Sequence, residues 1–390
     1  MATLKETQQR SAPLLDIARS NNPMREQFQD AIMRVCDSGK FLFGPDCRQL
    51  EETVASWCGT DHAIGCASGS DALLIALMAD KIGPGDEVIV PSFTFFATAS
   101  AVWRLGATPV FVDIDPVSFN ISSAAIRDAV TPDTKAVIPV HLFGQCAEMP
   151  EIMKIARQHN LLVIEDAAQA IGASVAGEPA GSWGDVGCIS FYPTKNLGGF
   201  GDGGMMVTQD HHRADRLRLY ATHGMKPRYE HHVVGINSRL DSIQAAVLNV
   251  KIKYLDESTR LRQENAQRYL ELFHQEGLDS QLGMPSCGES MEHVWNQFTI
   301  RVPGGQRDAM AAHLGQQQVG FAIYYPIPLH QQACYLKQGE MPLSLPETEK
   351  AAAEVISLPI FSELTDEELK HVVRCIGDFC SNQNKQRSAA

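Results

Sequence analysis

Lys195 is the one base in a run of small residues, Ser190–Gly204 (SFYPTKNLGGFGDGG), which carries a single acid, Asp202. The strand-like GCISF leads into it, and a glycine-rich loop after a strand lets backbone close on a ligand. A lysine there suits attack on a carbonyl to form a Schiff base. It suits a phosphate contact or simple solvation as well. The loop is not of the Walker type, since G-x-x-x-x-G-K-[ST] is absent.

Asp166 lies 29 positions earlier, in IEDAAQA, after a hydrophobic run. Sheets of the α/β class place functional groups at the C-terminal ends of their strands. A carboxylate beside a pyridine nitrogen would keep that nitrogen protonated and make the ring an electron sink. An aspartate is also a good helix N-cap, which is the plainer reading. Gln169 is one turn onward and could touch the same ligand. Ser68, Gly69, Ser70 and Asp71 open a helical stretch, ASGSDAL. Their hydroxyls and free amides suit an anion such as phosphate, or ordinary capping. Phe95, in PSFTFFAT, follows the strand-like EVIV and could stack on a planar ring or fill core.

These residues need a frame. Short β-branched runs recur at Glu87–Val90, Pro109–Asp113, Ala136–Val140 and Leu161–Glu165, and their near-continuous hydrophobicity fits strands buried on both faces. Helical patterns alternate with them, at Ser70–Ala79, Ser123–Val130 and Met149–His159. Strand, helix, strand, helix predicts an α/β fold with a mostly parallel central sheet. Gly187–Phe191 and Gly204–Thr208 add two strands. A long helix is expected over Ser238–Leu255 and a second over Ser258–Gln275, then a strand at Gln297–Val302 and a terminal helix near Asp366–Cys375, with 381–390 frayed. The division predicted is a large domain over 1–255 and a smaller C-terminal α/β domain over 256–390.

Composition narrows the function. The 390 residues carry a formal charge of −13 and 44% hydrophobic residues, so a disordered chain or a coiled coil is excluded. An acidic chain without a basic block predicts no nucleic-acid partner. No run approaches the roughly 18 apolar residues of a membrane span, and the first 20 residues lack an apolar signal core, so a cytoplasmic protein is expected. None of the ten cysteines forms C-x-x-C and no H-E-x-x-H occurs, so reduced thiols and no metal site are expected. An anionic ligand would then require local positive potential against the global charge.

Eight segments in order resemble the DegT/DnrJ/StrS family of pyridoxal-phosphate (PLP) sugar aminotransferases, from about Pro13 to Cys375. They are FGPDCRQLEE, CASGSDALLIAL, GDEVIVPSFTFFATA, GATPVFVDID, AVIPVHLFGQ, IEDAAQAIGA, FYPTKNLGGFGDGGM and GINSRLDSIQAAVL. The resemblance implies the fold type I, aspartate-aminotransferase-like architecture. It implies that Lys195 holds PLP as a Schiff base, that Asp166 pairs with the pyridinium nitrogen and that Gln169 contacts the O3 side. Phe95 would stack on the ring, while Ser68, Gly69, Ser70, Asp71 and Ser190 would bind the phosphate. Asn237 would reach the phosphate of a neighbouring subunit, which implies a homodimer with shared active sites. Ser70 stands where threonine is common, and the hydroxyl is kept.

The implied reaction moves an amino group from L-glutamate, released as 2-oxoglutarate, through pyridoxamine phosphate (PMP) to a UDP- or dTDP-linked keto sugar. Lys195 would act as base and acid in turn. Amino sugars for surface polysaccharide, lipopolysaccharide or a natural product would result. KPRYEHHVVG resembles the stretch found in relatives that aminate sugar C3, with Arg228, Tyr229 and His231 as candidate sugar or diphosphate contacts; Arg239 would face the site across the dimer. His330, in YYPIPLH, is a further candidate sugar contact, or part of a proline-fixed turn. The alternatives are a C4-specific aminotransferase, a PLP-dependent sugar dehydratase, whose histidine is here Lys195, and a non-catalytic regulatory member.

Overall fold

In the computed structural model, which describes residues 11–288, 290–336 and 343–389, six of the seven strands of the central sheet run the same way. They are His62–Cys66 (β1), Glu87–Pro91 (β2), Thr108–Val112 (β3), Thr134–Val137 (β4), Leu162–Asp166 (β5) and Val186–Ser190 (β6). Gly204–Thr208 (β7) runs against both its neighbours, β1 and β6. The order across the sheet is β1-β7-β6-β5-β4-β2-β3. Central strands are buried on both faces: β7 along its whole length, β5 everywhere but its first residue. Helices supply the cover. Gly69–Ala79 lays Leu73, Ile75 and Leu77 on one face, and Met149–His159 lays Met149, Ile152 and Ile155 on the other. Each such side chain contributes roughly 1.5–3 kcal/mol of burial.

The parallel strands bring four functional ends to one edge. β1 ends at the start of helix Gly69–Ala79, β2 ends before Phe95, β5 ends on Asp166, and β6 ends on Ser190, ahead of Lys195. Ligands of open α/β sheets bind along this edge.

The long helix begins later than the sequence pattern predicts, at Ser242, and breaks at a 3₁₀ turn, Ile252–Tyr254, before resuming as Leu255–Gln275. The reason lies upstream. Ser238 Oγ accepts the Ala67 N–H at 3.0 Å, and the Ser242 N–H donates to the Phe41 carbonyl at 2.9 Å. Residues 238–241 are thus tied to the edge of the sheet instead of coiling.

A second core gathers residues from Ala266 to Cys380 around the antiparallel pair Phe298–Arg301 (β8) and Val355–Leu358 (β9). The N-terminal segment joins it, since Ala12 exchanges hydrogen bonds with Gln318 and Gly320. The last helix, Asp366–Ala389, runs well past the expected stop near Cys375 and through the stretch expected to fray. A capping box starts it: the Thr365 N–H donates to Glu368 at 2.9 Å and the Glu368 N–H to Thr365 Oγ1 at 3.2 Å. The tail (NQNKQRSA) contains no proline or glycine to stop a helix once begun. Among the described residues, no helix is long and apolar enough to cross a membrane.

Candidate active site

Asp166 is 5% exposed, and its carboxylate is held from two sides. Thr98 Oγ1 donates to Oδ2 at 2.8 Å, and the Ala168 N–H donates to Oδ1 at 3.3 Å. Burial pushes the carboxyl above its usual range, against the pull of Thr98, Ala168 and the nearby Lys195 ammonium. Both of these donors are neutral, so the charge of the buried carboxylate is left to be met by a cation.

Lys195 answers with the opposite shift. Burial lowers its ammonium to about 8, and Asp166 only partly restores it. A buried amine so lowered, beside one carboxylate, marks a functional site more often than a structural one. Its loop is anchored without the amine. The Lys195 N–H donates to the Tyr192 carbonyl at 2.8 Å, Asn196 Nδ2 to the Val294 carbonyl at 2.9 Å, and Lys251 Nζ to the Gly198 carbonyl at 2.7 Å. The side chain is left free for chemistry.

The opening of helix Gly69–Ala79 faces the same edge. Ser68 caps it by accepting the Asp71 N–H at 3.1 Å. The Gly69 and Ser70 amides have no acceptor among the described residues, and the helix dipole points positive there. Two glycines let the strands close around them. A Cβ on Gly69 would sit 2.8 Å from Ser190 Cβ, and one on Gly204 would sit 2.4 Å from the Ser68 carbonyl carbon. This cradle of amides and hydroxyls from Ser68, Ser70 and Ser190 fits a phosphate. Buried Gln169 completes the cluster, its Oε1 accepting the Phe143 N–H at 2.8 Å. Phe95 presents an exposed ring at the end of β2. Together these groups fit PLP: a phosphate cradle, an acid for the ring nitrogen and an amine for the aldehyde.

The sequence reading missed two members. Thr98 lies inside the quoted PSFTFFAT segment, but a threonine in a helix's first turn looks like a cap until its carboxylate partner is seen. Tyr325 packs its ring 6.3 Å from Phe95 and 6.1 Å from Phe93. Burial first, then the charge of Asp166, raise its phenol above the usual range. In YYPIPLH the sequence offers His330 as the candidate contact. His330 is 2% exposed: Ser92 Oγ lies 2.7 Å from its Nδ1 and accepts its backbone N–H at 3.1 Å, while Glu349 is 3.4 Å from Nε2. Burial lowers its pKa. It braces the loop after β2 and does not open on the cleft.

The remaining predicted residues are not gathered around Lys195. Arg228, Tyr229 and His231 stand on an outer loop, where Arg228 covers the Tyr229 ring at 4.8 Å and His231 Nδ1 bonds the His223 carbonyl at 2.9 Å. Arg239 lies over the exposed Phe43 ring at 6.0 Å, and Asn237 is exposed, bridged to Thr222. This face also exposes Phe41 and Val234.

Comparisons with known proteins extend the likeness over almost the whole chain. A "Pleiotropic regulatory protein" of Geobacillus stearothermophilus is 48% identical over 373 residues, covering 95% of this chain and 98% of that one. A UDP-N-acetyl-3-dehydro-alpha-D-glucosamine 3-aminotransferase of Acidithiobacillus ferrooxidans is 46% identical over 370 residues, again 95% and 98%. Among solved structures, DesV of Streptomyces venezuelae, in complex with a ketimine intermediate, superposes with a TM-score of 0.91 at 40% identity, covering 95% of this chain and 98% of that one. NtdA of Bacillus subtilis, with bound cofactor PMP, superposes at 0.88 with 34% identity, over 95% and 85%. The profile of the DegT/DnrJ/EryC1/StrS aminotransferase family matches residues 22–377. With the PLP-type site above, these matches lead to one conclusion: this chain is a PLP-dependent aminotransferase of the DegT/DnrJ/EryC1/StrS family.

Proposed function

We propose that the enzyme transfers the amino group of L-glutamate to C3 of a UDP- or dTDP-linked 3-keto sugar, working as a homodimer with shared active sites. The observation that carries this reading is the half-buried Lys195 near the buried Asp166, beside a phosphate cradle, in a chain 46% identical to a UDP-sugar 3-aminotransferase. PLP, when bound, supplies an electrophilic aldehyde and a ring that accepts the electrons left by a departing α-proton. The Lys195 amine would hold the coenzyme through its aldehyde and, when released, its Nζ would serve as the base and then the acid that moves the α-proton. Asp166 holds the ring nitrogen's proton, Gln169 the O3 side, and Phe95 covers one ring face. Ser68, Gly69, Ser70, Asp71 and Ser190 seat the phosphate. Asn237 serves the phosphate of a neighbouring copy; its exposure among exposed apolar side chains supports a covered face there. Arg228, Tyr229, His231 and Arg239, on that same face, supply cationic and aromatic contacts to the sugar diphosphate. That local charge offsets the formal −13 of the chain. His330 acts on the sugar side through the loop it braces. The reaction belongs to cytoplasmic amino-sugar synthesis for surface polysaccharide.

A panel of UDP- and dTDP-linked 3-keto and 4-keto sugars, offered with glutamate, tests the assignment. Aminated product from a 3-keto sugar, with stoichiometric 2-oxoglutarate, is expected. Product from 4-keto sugars alone would move the reaction to C4, and consumption of sugar without 2-oxoglutarate would point to dehydration. The relative named as a regulatory protein supports a second reading, a member without turnover, but that reading leaves the lowered Lys195 without a purpose.

The amine itself makes a pH prediction. With its ammonium at about 8, about a quarter of Lys195 is neutral at pH 7.5, against roughly one part in a thousand at the unperturbed 10.5. Uptake of PLP by apoprotein should therefore quicken about tenfold per pH unit up to about 8 and level off above it. Stopped-flow absorbance follows this directly, and a rate still climbing at pH 10 would show that burial does not lower this amine.

A further inference from the structure

Two acids, Glu165 and Asp166, end strand β5. Strand geometry sends neighbouring side chains to opposite faces, so Glu165 points away from the side that Asp166 occupies. Glu165 is 0% exposed, yet its carboxylate is not idle. Oε2 lies 2.8 Å from His141 Nε2 and accepts the Gly181 N–H at 2.8 Å; Oε1 accepts the Gly184 N–H at 2.7 Å. His141 is also 0% exposed, and its Nδ1 accepts the Ala147 N–H at 3.1 Å. That contact fixes the tautomer: the ring proton sits on Nε2 and points at Glu165. One buried carboxylate thus collects three N–H donors from two separate segments, the His141 ring on one side and the Gly181–Gly184 turn on the other.

The same His141 grips Asp166. Its backbone N–H donates to the Asp166 carbonyl at 3.0 Å, and the Asp166 N–H donates to the Pro139 carbonyl at 2.9 Å. From the other side the Ala167 N–H donates to the Cys188 carbonyl at 2.9 Å. His141 therefore bonds to Glu165 through its ring and to Asp166 through its main chain, closing a loop across the ends of β4 and β5. The main chain of Asp166 is the pivot from which its carboxylate reaches the ring nitrogen.

We propose that Glu165, clamped by His141, is a positioning residue that sets the place of the Asp166 carboxylate and so tunes the bound coenzyme; this rests on the PLP reading above. Glutamine cannot replace it quietly. All three partners donate, so one end of the amide always sets its own N–H₂ against a donor. Turning the His141 ring to the other tautomer does not resolve it: the Gly181 N–H still faces the amide, and the new Nδ1–H opposes the Ala147 N–H. Unmet donors in a dry site are costly, and the strain falls on the segment carrying Asp166.

The test compares reconstituted holoenzymes: wild type, Glu165→Gln, His141→Leu, His141→Gln and Glu354→Gln. Readouts are PLP affinity by dilution, the pH dependence of the visible coenzyme band, and Tm. Glu165→Gln and His141→Leu should bind PLP about tenfold or more weakly and shift the midpoint of the band's pH profile. His141→Gln, which keeps an N–H for Glu165, should lie nearer wild type. Glu354→Gln removes a remote, largely buried partner of Arg301 (3.0 Å), and should lower Tm while leaving the coenzyme band in place. If Glu165→Gln does not fold, His141→Leu carries the same comparison. Wild-type affinity and band profile in the variants that fold would overturn the clamp while leaving the PLP site standing. A band that moves equally in Glu354→Gln would reduce Glu165 to general stability. Wild-type protein that takes up no PLP would sink the underlying reading and this proposal with it.

Discussion

Lys195→Ala should lower amino transfer from glutamate by at least about 10⁴-fold, because in the proposed reaction it removes both the attachment point and the group that carries the α-proton. The fold should not suffer. The backbone of the loop is held by its own N–H to Tyr192, by Asn196 and by Lys251, none of which uses the amine. Linkage gives the sign of the stability change. The folded amine titrates near 8 and the unfolded one near 10.5, so the unfolded chain binds more protons between those values. Apoprotein stability therefore rises with pH across that window, and below about 8 the folded state carries a buried ammonium at a cost. Alanine removes that cost. The expected outcome is a Tm at pH 7 equal to or above that of wild-type apoprotein, with a flatter stability profile between pH 8 and 10.5. Release of 2-oxoglutarate in a single turnover, with calorimetry on the apoproteins, checks both halves. Retained turnover would remove Lys195 from the chemistry.

The sequence showed the sheet best where the sheet is most buried. β2, β5, β6 and β7 were visible as apolar runs because both of their faces are covered. β1 (HAIGC) was not, since an edge strand with half-exposed His62 and Gly65 makes no such run. The break between the two long helices was hidden for another reason. Helical periodicity in 238–255 is real, but Ser238 and Ser242 are tied by bonds to Ala67 and Phe41, far away in sequence, which no local pattern records. The site divides the same way. Lys195 and Asp166 carried local signals, a glycine-rich loop and a strand end. Thr98, Tyr325 and the Glu165–His141 clamp act through partners brought together only by strand order. The outer residues, Asn237 and Arg239 among them, meet other neighbours, Arg239 the Phe43 ring and Asn237 the Thr222 backbone. A part for them in the site rests on the dimer proposed above, a pairing that no local pattern in the sequence records.

Asp166→Asn should cut the rate of the glutamate half-reaction by about 10²–10⁴-fold while changing glutamate KM little. A neutral amide cannot hold a proton on the ring nitrogen, and an unprotonated ring accepts electrons poorly. The substitution isolates charge from shape. Asparagine keeps an oxygen for one donor, and the Thr98 hydroxyl can turn to accept the new N–H₂, with Thr94 Oγ1 3.4 Å away as an alternative partner. The buried acid then exposes an asymmetry between apo and holo states. Without a cation opposite, burial raises the Asp166 carboxyl, so the folded apoprotein holds its proton to higher pH than the unfolded chain. Stability from that group is complete below the unfolded value of 3.8 and is lost as pH rises through the folded one. At neutral pH, then, apo Asp166→Asn should melt at or above wild type. Bound coenzyme reverses the order, because a pyridinium opposite the carboxylate favours its ionised form and the variant offers no partner charge. The gain in Tm on adding PLP should accordingly be smaller in the variant than in wild type. Equal gains in both proteins would mean that Asp166 does not face the ring nitrogen.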